Sequence, residues 1–168
     1  MSMIHIYTGD GRGKSPAALG RAVQAAASGE QVVIIQFLKG KGLEDSEFVR
    51  RMEPDIKLFR FEKSDENYEE LTEEKKAEES INIRNGLNFA NKVLSTGECN
   101  LLILDEVLGL VEKGIIDVED LKSLLAQRGD TDIILTGISL NDEVCILADE
   151  VSKIETLKFK AFPVVEEI

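Results

Sequence analysis

Short apolar, β-branched runs alternate along the chain with longer segments in which apolar residues recur at helical spacing. The runs predict strands and the segments predict helices. Several runs are apolar at consecutive positions, which is typical of strands covered by helices on both faces. The predicted strands are residues 3–7, 32–37, 57–61, 101–104, 133–136 and 151–154. The predicted helices are residues 14–27, 72–94, 118–127 and 141–148.

Residue types at the ends of these segments support the helix limits. Asp117 and Asn141 precede two predicted helices, and their side chains can accept hydrogen bonds from first-turn N–H groups. Gly29 and Gly97 stand where the first two helices should end, because glycine readily adopts the left-handed conformation that closes a helix. The alternation predicts an α/β fold, a doubly wound and mostly parallel sheet of about six strands. We expect a single domain over residues 1–168.

An acidic segment lies before and within the start of the longest predicted helix. Residues 62–79 hold nine acidic side chains among eighteen positions. Its second half fits the solvated start of that helix, where carboxylates also suit the helix dipole. Its first half, which contains Asn67 and Tyr68, is predicted to be a mobile surface loop.

A glycine-rich loop joins the first predicted strand to the first predicted helix and reads Thr-Gly-Asp-Gly-Arg-Gly-Lys-Ser over residues 8–15. Such a loop can turn successive N–H groups toward a phosphate, and the helix N-terminus adds partial positive charge. Lys14 would supply a point charge, and Ser15 a hydroxyl for Mg²⁺. The alternative is a glycine-rich turn without a ligand, and Thr8 stands where the standard spacing has glycine. The candidate nucleotide contacts are Thr8, Gly9, Asp10, Gly11, Arg12, Gly13, Lys14, Ser15 and Pro16.

A second candidate element is the apolar run 101–104, which ends in Asp105 and Glu106. Mg²⁺ prefers oxygen ligands, commonly one or two carboxylates together with water and phosphate. Because ligands of parallel α/β sheets bind at the carboxyl ends of the strands, both elements would serve one ion. The candidate metal ligands are therefore Ser15, Asp105 and Glu106, although many buried strands also end in an acid without any such role.

Two further polar residues lie on predicted strands. Thr136 ends a strand at the same edge of the sheet, where it would either sense a terminal phosphate or cap a turn. His5, the only histidine, lies inside the first strand and fits a core or edge position better than a catalytic one. No Ser/His/Asp or Cys/His arrangement is evident in the sequence.

Composition limits the classes of partner. A net charge of −12 opposes extended contact with nucleic acid, which requires Lys and Arg to neutralise phosphates. The two cysteines, Cys99 and Cys145, lack metal-ligand spacing, which favours a reduced compartment. No apolar run approaches the roughly 20 residues that span a bilayer, and the first strand starts too early to follow a signal peptide. We expect a cytoplasmic protein that binds neither nucleic acid nor membrane.

Several stretches together resemble the P-loop family of ATP:corrinoid adenosyltransferases. They are residues 7–20, 35–40, 104–106, 114–119, 135–137 and 147–149. The block Gln36-Phe37-Leu38-Lys39-Gly40 distinguishes this family from other P-loop proteins. The resemblance implies a RecA-like P-loop architecture and places Gln36 and Lys39 in the nucleotide site. It also implies catalytic roles for Lys14 and Glu106.

The resemblance implies transfer of the 5′-deoxyadenosyl group of ATP to the Co(I) of a reduced corrinoid, with release of triphosphate, in cobalamin biosynthesis or salvage. Co(I) is itself the nucleophile, so the protein must position C5′ and stabilise the leaving triphosphate. The implied cofactors and partners are ATP, Mg²⁺, a reduced corrinoid, an electron donor that reduces it, and a second copy in a homodimer.

The chain departs from the family pattern at several positions. Pro16 replaces a threonine, and Gln24 and Ile138 stand where arginines are usual. The chain has no tryptophan, so Tyr68 is the candidate for excluding the lower ligand of cobalt. These departures keep two alternatives open: a relative that binds nucleotide or corrinoid with reduced activity, and a different P-loop NTPase.

Overall fold

The computed structural model describes residues 2–10, 12–38, 47–62, 64 and 66–158. Within these residues, six strands form one sheet in the order β3-β2-β4-β5-β1-β6, and every pairing is parallel. The strands are β1 (Ile4–Thr8), β2 (Val32–Gln36), β3 (Ile56–Arg60), β4 (Leu101–Asp105), β5 (Asp132–Gly137) and β6 (Glu150–Lys153). The helices are α1 (Lys14–Ala27), α2 (Glu47–Arg51), α3 (Glu73–Thr96), α4 (Val107–Glu112), α5 (Val118–Leu125) and α6 (Asp142–Cys145), with a 3₁₀ helix at Tyr68–Glu70.

The core lies on both faces of the sheet, as the apolar runs predict. Ala18 and Ala22 of α1 pack against one face with Ile34 and Ile103. The other face is covered by α3, α4 and α5 and contains a larger cluster of buried side chains. Strands β2 and β4 are buried at every position, because they lie in the middle of the sheet and have helices on both sides. The predicted doubly wound parallel sheet is confirmed.

The predicted helix ends are confirmed where a cap was identified. The Asp117 carboxylate accepts a hydrogen bond from the Asp120 N–H at 2.8 Å, and the Asp120 carboxylate accepts from the Asp117 N–H at 3.1 Å. Asn141 caps α6 by accepting from the Val144 N–H at 2.8 Å. Gly97 closes α3 with a φ of 67°. These contacts join residues that are close together in the sequence, so residue type alone was sufficient to predict them.

Three short helices are absent from the sequence prediction. α2 and the 3₁₀ helix are too short for a hydrophobic period to appear. Residues 107–110 of α4 are all buried, so this helix has no polar face that would give it a helical pattern. α6 ends at Cys145, whereas the pattern extended it to residue 148.

The predicted loop around Tyr68 is wrong at residues 68–70, which form the 3₁₀ helix. Buried Leu71 follows this turn, and Glu69 forms an ion pair with Lys113 directly after α4. The hydroxyl of Thr72 then accepts a hydrogen bond from the Lys75 N–H and starts α3. The acidic segment is therefore attached to the helix that follows Asp105 and Glu106.

His5 lies in a polar cluster between α1 and the edge strand β6. Its Nε2 is 2.8 Å from the Ser152 hydroxyl, and its Nδ1 is 3.3 Å from the Arg21 guanidinium and 3.5 Å from the Glu150 carboxylate. The Tyr7 ring stacks on the imidazole at 4.4 Å between centroids. Burial and the Arg21 charge lower the pKa of His5 from its ordinary 6.5, although Glu150 opposes this shift.

This lowered pKa predicts a loss of stability in mild acid. The folded protein binds fewer protons than the unfolded chain at pH values below about 6.5, so protonation favours unfolding there. We expect His5→Gln to flatten the decline in unfolding free energy between about pH 7 and pH 5, measured by urea denaturation. Because His5 is the only histidine, parallel curves for variant and wild type would contradict this assignment.

Candidate functional site

The carboxyl ends of the strands present a row of polar side chains toward α1. Gln36 is in register with Arg60 on one side and with Asp105 on the other. A hydrogen bond joins Asp105 to Thr136 of β5, which is in register with Tyr7 of β1. Two residues earlier on the same strands, this face carries apolar side chains that pack with α1, namely Leu58, Ile34, Ile103 and Ile134. The change from apolar to polar residues marks the point where α1 begins and the sheet core ends.

Asp105 is the centre of this row and is only 2% exposed. Its Oδ1 accepts hydrogen bonds from the Ser15 hydroxyl at 2.9 Å and from the Thr136 hydroxyl at 2.7 Å. The Nε2 of Gln36 lies 3.4 Å from Oδ2. Hydrogen bonds of this kind satisfy a buried carboxyl group and fix its orientation. The structure thus brings Ser15 of the glycine-rich loop to the acid of β4, as the sequence predicts.

Thr136 also holds the turn that follows β4. Its hydroxyl oxygen accepts a hydrogen bond from the Glu106 N–H at 2.8 Å while the hydroxyl donates to Asp105. Glu106 has a φ of 64°, a left-handed conformation that residues other than glycine seldom adopt. Backbone strain of this kind concentrates at functional sites. Of the two roles considered for Thr136, the contacts in the structure are those of the turn cap.

The oxygen atoms around Asp105 fit a magnesium ion. The Ser15 hydroxyl and the Asp105 carboxylate are in direct contact, and Glu106 follows Asp105 in the chain. Mg²⁺ commonly binds to one or two carboxylates and takes its remaining ligands from water and substrate phosphates. Among residues 2–10, 12–38, 47–62, 64 and 66–158, no group of three or more His, Cys, Asp or Glu side chains could hold a metal. Mg²⁺ does not require a site made only of protein side chains, so a site with one or two carboxylates is sufficient.

The glycines of the loop have different surroundings. Gly9 has a φ of 115°, and a Cβ at this position would lie 2.2 Å from the carbonyl oxygen of Ile154. Gly13 precedes α1 with a φ of 117°, and a Cβ there would meet nothing within 4 Å. Gly9 is therefore required by the close approach of the segment after β6, whereas Gly13 is required only by its backbone conformation. The loop backbone near Gly13 is open to a ligand.

The other loop residues are held by neighbouring segments. The Thr8 hydroxyl donates to the Ile138 carbonyl at 3.1 Å, and the Arg12 N–H donates to the Thr156 hydroxyl at 3.1 Å. Pro16 is tolerated in the first turn because the first helical hydrogen bond is made by the Ala17 N–H to the Gly13 carbonyl. Asp10 lies in a bend directly after β1, and Lys14 begins α1.

The remaining predicted site residues lie elsewhere in the fold or outside the described residues. Gly11 and Lys39 lie outside the described residues. Tyr68 lies on the 3₁₀ helix, and its ring centroid is 5.6 Å from the Lys76 ammonium of α3. Conversely, the sequence analysis did not identify Arg60 or Tyr7 as members of the polar row. Side chains alternate between the two faces of a strand, so the spacing of Ile56, Leu58 and Arg60 would have placed all three on one face of β3.

No helix in the described part of the chain is long and apolar enough to cross a membrane. The fold is similar to that of the flagellar accessory protein FlaH from Methanocaldococcus jannaschii, with a TM-score of 0.59. That similarity covers 94% of this chain and 73% of FlaH at 17% identity, so it concerns the fold alone.

Sequence comparisons identify nearer relatives. The corrinoid adenosyltransferase of Escherichia coli K12 is 26% identical over 157 residues, which cover 93% of this chain and 78% of the relative. The corrinoid adenosyltransferase CobA of Salmonella typhimurium LT2 matches to the same extent. The family model of the ATP:corrinoid adenosyltransferases BtuR, CobO and CobP matches residues 1–162. By its sequence over nearly the whole chain, this protein belongs to the ATP:corrinoid adenosyltransferase family.

Proposed function

We propose that this protein transfers the 5′-deoxyadenosyl group of ATP to the Co(I) of a reduced corrinoid and releases triphosphate. Membership of the family supports a corrinoid adenosyltransferase. The observation that carries the proposal is the hydrogen bond from the Ser15 hydroxyl to the buried Asp105 carboxylate at 2.9 Å. This contact joins the phosphate loop to the acidic strand, so one bound Mg²⁺–ATP would meet both.

The reaction needs no nucleophile from the protein. The electron pair of Co(I) forms the Co–C5′ bond while the C5′–O bond breaks, and the electron pair of that bond leaves with the triphosphate. The protein must therefore orient C5′ toward cobalt and stabilise the negative charge that develops on the leaving group. Lys14 and the N–H groups at the start of α1 would perform the second task.

The residues around Asp105 would hold Mg²⁺ in this site. Ser15 and Asp105, together with Glu106, provide hard oxygen donors of the kind that Mg²⁺ prefers. When bound, the ion would neutralise charge on the triphosphate as the C5′–O bond breaks. Asp105 keeps its orientation through the Thr136 hydroxyl.

A second candidate is a family member that binds ATP or corrinoid with reduced activity. Ile138 follows the Thr-Gly pair and is 59% exposed, so an apolar side chain stands where an arginine is usual in the family. Gln24 of α1 likewise lacks the positive charge of the arginine usual there. Loss of two guanidinium groups would weaken contacts with triphosphate or corrin.

One incubation distinguishes these functions. The protein is mixed with ATP, Mg²⁺ and chemically reduced cobalamin, and the cobalt–carbon absorption spectrum and the phosphate products are recorded. The proposal expects adenosylcobalamin and triphosphate, both dependent on the corrinoid. A different P-loop NTPase would release ADP without corrinoid, and a relative of reduced activity would bind ATP without forming either product at an appreciable rate.

Tyr68 is proposed to exclude the lower ligand of cobalt. We expect Tyr68→Ala to slow adenosylation of a corrinoid that keeps its lower ligand by about tenfold, because an open coordination face allows that ligand to stay bound. The rate with a corrinoid that lacks the lower ligand should be unchanged. Tyr68→Phe is the control, since it retains the ring. Equal rates for Tyr68→Ala and wild type on both corrinoids would assign this task to another group.

We also propose the wider setting that family similarity suggests: one domain over residues 1–168, a homodimer, a cytoplasmic location and a separate electron donor that reduces the corrinoid.

A further inference from the structure

Gln36 carries a buried polar atom beside the proposed metal site. It is the last residue of β2, is 5% exposed, and is in register with Asp105 of the neighbouring strand. Its Nε2 faces Asp105 Oδ2 at 3.4 Å. Its Oε1 is buried and has no hydrogen-bond partner within the part of the chain that the structure describes. Buried side-chain oxygens are normally satisfied, so this atom requires an explanation.

The orientation of the Gln36 amide is set by its neighbour. The Oδ2 atom of Asp105 accepts from the Gln36 Nε2, so the NH₂ group of the amide is directed toward Asp105. The reverse orientation would place two acceptors together. Oε1 is therefore an acceptor beside the carboxylate that we assign to the metal, and its donor has to come from outside the described residues.

We propose that Gln36 is a positioning residue of the metal site, whose Oε1 accepts a hydrogen bond from a water molecule bound to the Mg²⁺. This inference rests on the proposed function. Phosphate oxygens are acceptors and cannot satisfy Oε1. Mg²⁺ keeps several of its waters when it binds a nucleotide, and a coordinated water presents its hydrogens outward. The amide of Gln36 contacts a proposed metal ligand directly, so it lies beside the proposed metal site.

The test measures metal binding separately from turnover. Mn²⁺ replaces Mg²⁺, and electron paramagnetic resonance measures its affinity for the protein–ATP complex without corrinoid. ATP affinity is measured in parallel with the metal removed by chelation. The variants are Gln36→Met, which keeps the volume and removes the amide, and Gln36→Glu, which keeps an acceptor. Ser152→Ala is the control, because Ser152 is a polar residue on the edge strand β6, where it contacts His5 and not Asp105.

We expect Gln36→Met to weaken Mn²⁺ binding by about tenfold while ATP affinity without metal stays within about twofold of wild type. Gln36→Glu should bind Mn²⁺ at least as tightly as wild type, because its carboxylate also accepts from metal-bound water and the bound cation offsets its repulsion with Asp105. Ser152→Ala should leave both affinities unchanged. If Gln36 had only a structural role, Gln36→Glu would weaken Mn²⁺ binding more than Gln36→Met, because a buried extra charge disrupts packing more than methionine does.

Two results would overturn the inference while leaving the proposed function intact. One is wild-type Mn²⁺ affinity in Gln36→Met. The other is an equal loss of ATP affinity with and without metal, which would assign Oε1 to a hydroxyl of the nucleotide. If the wild-type protein binds neither ATP nor Mn²⁺–ATP, the proposed function itself fails, and this inference fails with it. Thermal unfolding of each variant checks that the fold is retained.

Discussion

Lys14→Ala is expected to abolish ATP binding or to reduce adenosyl transfer by on the order of 10²- to 10³-fold. Lys14 is the first residue of α1, directly after the open backbone at Gly13. It supplies a full positive charge where the helix N-terminus supplies only a partial one. Removing it leaves the triphosphate with less stabilisation in the ground state and in the transition state.

Calorimetric titration with Mg²⁺–ATP and steady-state rates with reduced cobalamin measure this effect. Lys92→Ala is the matched control, because Lys92 is exposed near the other end of the sheet on α3 and the variant loses the same charge. The control should retain wild-type affinity and rate. If Lys14→Ala and Lys92→Ala behave alike, Lys14 has no special role in binding the phosphates.

Asp105→Asn is expected to lower kcat/KM by about 10²- to 10³-fold and to raise the Mg²⁺ concentration needed for turnover. The amide oxygen can still accept from the hydroxyls of Ser15 and Thr136, so the fold should be retained. Its NH₂ group then faces the NH₂ of Gln36, and the negative charge that attracts the ion is gone. The loss should therefore appear in metal dependence more than in stability.

Asp132→Asn provides the comparison for this variant. Asp132 starts β5 at the opposite edge of the sheet, where its carboxylate accepts from the Met3 N–H at 2.8 Å. That substitution should reduce stability slightly and leave the Mg²⁺ requirement unchanged. An Asp105→Asn enzyme with wild-type metal dependence and rate would remove Asp105 from the metal site.

The sequence was sufficient to predict those parts of the fold that are determined by residues close together in the chain. The strand, loop and helix around Gly13 follow from glycine, lysine and helical spacing within about 15 residues. The cap at Asp117 and the stop at Gly97 follow from the chemistry of single side chains. The acid at the end of β4 was recognised because a buried apolar strand ends there.

The remaining parts depend on contacts between distant residues. Gly9 must be small because Ile154, far along the chain, approaches it, and no local pattern shows that approach. The contact of Gln36 with Asp105 requires β2 to lie beside β4, which is a matter of strand order. The helix α4 is buried at its first four residues and therefore has no amphipathic pattern. Sequence could indicate the phosphate loop but could not supply the network of hydrogen bonds that holds Asp105.

The proposed transfer of the 5′-deoxyadenosyl group to cobalt is tested by following the 5′ carbon of ATP. The protein is given ATP labelled with ¹³C at C5′, Mg²⁺ and chemically reduced cobalamin in a single turnover, and the products are examined by ¹³C and ³¹P NMR. We expect the labelled carbon to become bonded to cobalt and triphosphate to appear in equal amount. Labelled carbon that stays in ADP or AMP, with orthophosphate or pyrophosphate as the second product, would contradict it.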